Sequence, residues 1–178
     1  MGEIKSTLDL VMEKTKNLNL SSAEREQHKN KEIKSRLRGL LQKFQDNILS
    51  TENLRSEYQK LKKEHGLANN RHLIGEICSQ ILAGKNNQAL FDLLAEFKVS
   101  DFEGLNSVLQ EFQTALDAAA EQRRRILKAQ LAGQHLISGS AVVPNLENDD
   151  QWRKAAGKIR AKYDRLLAEE KAGILKGQ

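Results

Sequence analysis

From Ser22 to His65 the chain has no proline and a single glycine, Gly39, and its apolar residues recur four and three positions apart. The runs Ile33, Leu37, Leu40, Phe44 and Leu54, Tyr58, Leu61, His65 share one seven-residue frame. That spacing lines side chains along one stripe of a helix and sets them in a seam against another helix. A strand, which buries every second residue, has no use for it. The frame turns polar at Asn47 and Thr51, where Asp46, Asn47, Ser50, Thr51 and Asn53 gather. Either one helix continues for ~44 residues, about 65 Å at 1.5 Å per residue, or it breaks near Leu49 with Ser50 or Thr51 capping a second helix. The cluster of weak helix formers favours the break.

The rest of the chain repeats the helical pattern between stop and start signals. Ile4, Leu8, Val11, Met12 and Leu18 mark an amphipathic first helix, and Ser21 with Glu24 makes a capping box for the next. Gly66 is a left-handed stop, after which Asn69 or Asn70 can cap a helix with the wide apolar face Leu73, Ile74, Ile77, Cys78, Ile81 and Leu82. Gly84 ends it, and Asn86 or Asn87 caps a segment carrying Leu90, Phe91, Leu93, Leu94 and Phe97. Ser100 and Glu103 form a second capping box before Leu105, Leu109, Phe112, Leu116, Ala119 and Ile126, in a helix that ends near Gly133 or Gly139. Residues 133–147 hold the only proline, Pro144, and read as a connecting loop. Asn148 can cap a last helix through Trp152, Ala156, Ile159, Tyr163 and Leu166. The expectation is an all-α protein of six or seven helices in a single helical domain, residues 1–178, with no β-sheet. It is a helical bundle in which residues 22–65 project as a long coiled-coil-like helix or as a helical hairpin.

Several classes of protein are excluded or disfavoured. One cysteine, Cys78, rules out a disulfide scaffold, and its apolar neighbours Ile77 and Ile81 cast it as a small buried hydrophobe. No run approaches the ~18 apolar residues of a membrane span, so the expected location is cytoplasmic, without membrane contact. The four histidines, His28, His65, His72 and His135, form no Glu-x-x-His or His-x-x-x-His pair. Phosphate-cradling, dinucleotide and nucleophile-elbow motifs are missing as well. Nothing argues for an enzyme, a cofactor or a metal.

Charge is the remaining signal. The net +5 conceals an acidic stretch, residues 86–121 with seven acids and one base, followed by residues 122–146 with four bases and no acid. Opposite charges segregated in this way favour attraction within the chain or to a second copy. The leading expectation is therefore a protein–protein interaction or assembly module that pairs with itself as a homodimer, or with another helical protein. Its interaction seam is Ile33, Leu37, Leu40, Phe44, Leu54, Tyr58 and Leu61. The alternative is nucleic-acid or other polyanion binding through Lys29, Arg36 and Lys43, spaced by sevens, and through Arg123, Arg124 and Arg125.

The opening Met1–Thr15 segment, Met-Gly-Glu-Ile-Lys-Ser-Thr-Leu-Asp-Leu-Val-Met-Glu-Lys-Thr, loosely resembles a group of bacterial proteins with no assigned function. So does the later stretch Ile137–Glu147. The resemblance implies a small helical protein of bacterial source and transfers no site residue.

Overall fold

A computed structural model describes residues 21–99 and 102–177, and every regular element among them is a helix. There are six: α1 (Ser22–Gln45), α2 (Thr51–His65), α3 (Arg71–Gln80), α4 (Gln88–Glu96), α5 (Glu103–His135) and α6 (Asp150–Lys176). The single domain expected from the length divides into two compact units, one ending at Ala68 and one beginning at Asn69. The expected helix over Ile4–Leu18 and the capping role of Ser100 lie outside the described residues.

In the first unit, α1 and α2 form a hairpin. The Ser21 hydroxyl accepts from the Glu24 amide at 3.2 Å and the Glu24 carboxylate accepts from the Ser21 amide at 2.7 Å, completing the capping box. The chain then breaks after Gln45: Asn47 takes a left-handed φ of 56°, and Ser50 Oγ accepts from the Asn53 amide at 3.2 Å to start α2. One continuous helix is thus replaced by two. Ser50→Ala, which orphans that amide, is expected to cost about 1 kcal/mol in a denaturant melt. Gly66, with φ 64°, ends α2 as its sequence suggests.

The hairpin buries Ile33, Leu37 and Leu41 from α1 and Leu54, Tyr58 and Leu61 from α2. Here the heptad frame errs in one place, since Leu40 and Phe44 are only half-buried and Leu41 takes the inner position. A frame of 3.5 residues suits supercoiled helices, whereas short helices pack by ridges of residues four apart, which run from 33 to 37 to 41.

In the second unit, α5 and α6 run antiparallel. Their register is fixed by the Phe112 and Tyr163 rings, edge to face at 5.8 Å, and by a two-pronged bond from Arg123 to Asp149 at 2.9 and 2.7 Å. Near the start of α5, Gly104 lies so close to the Glu170 carboxylate that a Cβ there would collide with it. Helix α3 packs on α4 and α6, where Lys171 Nζ donates to the Ile81 carbonyl at 2.6 Å and satisfies an acceptor at the end of α3. Burial lowers the Lys171 pKa and raises that of the neighbouring Cys78 thiol. Asn87 is buried, yet its side chain makes no cap for α4. Instead it accepts from the Leu82 amide at 3.1 Å and donates to the carbonyls of Leu82 and Lys85, closing the α3–α4 loop.

Two ends differ from the sequence reading. Helix α5 runs through Gly133 to His135, and Leu136 rather than a glycine adopts the left-handed cap conformation with φ 56°. Asp149 rather than Asn148 caps α6, accepting from the Trp152 amide at 2.6 Å. An anion at this helix start is favoured both by the helix dipole and by the guanidinium of Arg123. Arg123, followed by the Trp152 amide, holds the Asp149 carboxyl below the ordinary aspartate range. A depressed carboxylate contributes stability that is full above its unfolded pKa and is lost as pH falls through its folded value. Asp149→Asn is therefore expected to flatten the acid limb of the melting temperature, measured from neutral pH down to about pH 2.

Candidate interaction surface

Five of the seven expected seam residues are buried within the hairpin. Ile33, Leu37, Leu54 and Tyr58 have no exposed surface and Leu61 retains 4%. They form hairpin core, while Leu40 and Phe44 of the same set stay half-buried. Beside them, Arg36, Leu40, Lys43, Glu57, Leu61 and Glu64 help line a shallow groove of about 350 Å³.

Two of the six basic residues chosen from the sequence, Arg36 and Arg123, are paired across elements, and Lys29 and Lys43 enter no ion pair among the described residues. Arg36 pairs with Glu32 at 2.9 Å and with Glu64 at 2.7 Å across the hairpin, so the series Lys29, Arg36, Lys43 is interrupted at its centre. Arg123 is committed to Asp149 with only 14% of its side chain exposed. Arg124 and Arg125 approach Glu121 at 4.0 and 3.4 Å, contacts at an exposed helix surface that contribute little to stability. The structure thus separates the basic residues into two matched across elements, Arg36 and Arg123, and four exposed ones, Lys29, Lys43, Arg124 and Arg125.

The long pair of helices carries surface features that sequence reading missed. Outward on α5, Asp117, Glu121, Arg124 and Lys128 lie within a sector of about 60° at 100° per residue. From Glu103 to Glu121 the helix has no cation, and from Gln122 to His135 no acid, so the sign reverses once along this face. Beside the acidic half, Phe91, Asn106, Leu109, Gln110, Phe112 and Gln113 help line an open groove of about 370 Å³. Beyond the basic half, the helix outruns the start of α6. Four of the six large apolar side chains exposed among the described residues fall in the stretch from Ile126 to Val143: Ile126, Leu136, Ile137 and Val143. Leu136, at 90% exposed, holds a backbone conformation that costs an L residue roughly 1 kcal/mol.

No group of His, Cys, Asp and Glu suited to a metal ion occurs among the described residues, and no helix among them is long and apolar enough to cross a membrane. Cys78 is buried. His135, Ser138 and Ser140 are all exposed around the end of α5, with no carboxylate bonded to the imidazole. No protein-family model, curated protein or solved structure matches the chain.

Proposed function

We propose that this chain is a non-enzymatic helical assembly module that pairs with a second copy through the outer face of α5. The single reversal of charge along that face carries the reading. Two α5 helices laid antiparallel about a two-fold axis between Gln122 and Arg123 set Asp117 opposite the partner's Lys128 and Glu121 opposite the partner's Arg124. Each pair occurs twice, as an isologous interface requires. The same register brings the Leu136 end of each copy to the level of Leu109 on the other, beside the groove floored by Phe91 and Phe112. Burying the exposed leucine there supplies the apolar contribution that charge pairs alone lack. On this reading the homodimer contact lies on α5, distinct from the hairpin seam.

Light scattering coupled to size exclusion tests the reading. Wild-type protein is expected at dimeric mass at micromolar concentration. Arg124→Glu with Lys128→Glu, and separately Asp117→Lys with Glu121→Lys, should each weaken self-association at least about tenfold, because like charges then face each other. Mixing the two variants should restore dimeric mass. A wild-type monomer, or variants that dimerise unchanged, would overturn the proposal.

A further inference from the structure

Helix α6 carries a second charged face. Lys154, Lys158, Lys162 and Arg165 follow one another at intervals of four, four and three residues and are all exposed. At 100° and 1.5 Å per residue they occupy a sector of about 80° and a line of about 16 Å. Tyr163 points to α5, and Lys171 and Leu175 to α3, on the other flank of the helix. The basic stripe therefore faces away from both neighbours.

Among the described residues the acids that flank it on the helix, Asp150 and Glu169, stand at its two ends. No acid occurs between Gln151 and Tyr163. Lys154, Lys158 and Arg165 enter no ion pair among the described residues, while Lys162 sits 5.0 Å from the centre of the Tyr163 ring. Asp164 lies on the Lys171 flank, with which it interacts electrostatically. Glu169 closes the stripe at its C-terminal end, and Arg153, off the stripe, is taken by Asp150. These cations contrast with Arg36 and Arg123, whose charges the fold has already matched.

We infer that this stripe is a binding site for the phosphate backbone of double-stranded nucleic acid, engaged without reading base sequence. A straight row of mobile cations meets regularly spaced phosphates and releases their condensed counterions. Trp152 is half-buried and Tyr163 buried, so no aromatic face is offered to stack on unpaired bases. An anionic membrane fits less well, because none of the large exposed apolar residues belongs to α6 and nothing beside the cations would insert. A protein partner would find no apolar anchor there for the same reason. The site does not depend on the self-association proposed for α5, which uses a different helix and face.

The test is fluorescence anisotropy of full-length protein with a labelled mixed-sequence duplex of about 20 base pairs, as a function of salt. Four phosphate contacts give a slope of log affinity against log salt near −3.6, or a roughly 150-fold loss between 50 and 200 mM salt. Replacing Lys154, Lys158, Lys162 and Arg165 together by Gln, a good helix former, should abolish that binding while leaving helicity and melting temperature unchanged. Lys29→Gln with Lys43→Gln should leave it intact. Absence of duplex binding at about 50 mM salt would overturn the inference. So would duplex binding that survives the fourfold replacement, or binding confined to anionic phospholipid vesicles or to an acidic polypeptide such as polyglutamate.

Discussion

Phe112→Ala is expected to destabilise the second unit by about 3–5 kcal/mol, the usual cost of emptying an aromatic site in a packed core. Phe112 is 1% exposed and meets Tyr163 edge to face, at the level where α5 and α6 are held in register. Its truncation removes dispersion contacts on both helices and opens a space that the long, stiff pair cannot easily collapse. Denaturant unfolding followed by circular dichroism measures the loss. Phe112→Leu, which keeps most of the volume, should recover more than half of it. A loss below about 1 kcal/mol for the alanine variant would mean that this contact does not set the register.

Tyr58→Ala should have a comparable effect in the hairpin, about 3–5 kcal/mol, because its side chain is fully enclosed between α1 and α2. The ring also provides its own spectroscopic assay. Burial pushes the Tyr58 hydroxyl up to about 12, so it ionises late in an ultraviolet titration. A phenol whose pKa is raised by folding stays protonated in the native state while the unfolded chain loses its proton. Stability from this source is therefore full below the ordinary tyrosine value and falls as pH rises from about 10 to 12. Tyr58→Phe removes that alkaline decline. If Tyr58 instead ionises near its ordinary value in the native protein, the hairpin is more open than the packing implies.

Helix content and most helix boundaries were legible because their signals are local. The Ser21–Glu24 box, the Ser50 break and the Gly66 stop all formed as the sequence implied. Leu41, Leu136 and Asp149 show where local reading fails. Leu41 lies one step outside a frame that was counted at 3.5 residues, a choice that only the partner helix can settle. Leu136 sits where glycine is the usual occupant, and two nearby glycines, Gly133 and Gly139, drew attention away from it. Asp149 wins over Asn148 through an arginine 26 positions away.

The same distance effect governed the candidate surfaces. Clusters of cations are visible in a sequence, but which of them remain unmatched is not. Arg36 meets Glu64 at a separation of 28 residues, and that one contact changes a basic stripe into a cross-hairpin brace. The α6 cations are no denser in sequence than the α1 cations. What distinguishes them is continuity, since the α1 series is interrupted at Arg36 by its pair with Glu64, whereas no ion pair among the described residues interrupts the α6 row.

The position of Cys78 gives the molecule a built-in clock. It is the chain's single thiol, and it is buried in α3, where burial raises its pKa against the opposing charge of Lys171, the side chain that secures the end of that helix to α6. A reagent needs an opening to reach a sulfur this enclosed, so the rate of thiol labelling under native conditions reports such openings. Because the second unit has no other sulfhydryl, the measurement needs no engineering, and comparison with the global unfolding rate tells local opening from unfolding of the whole.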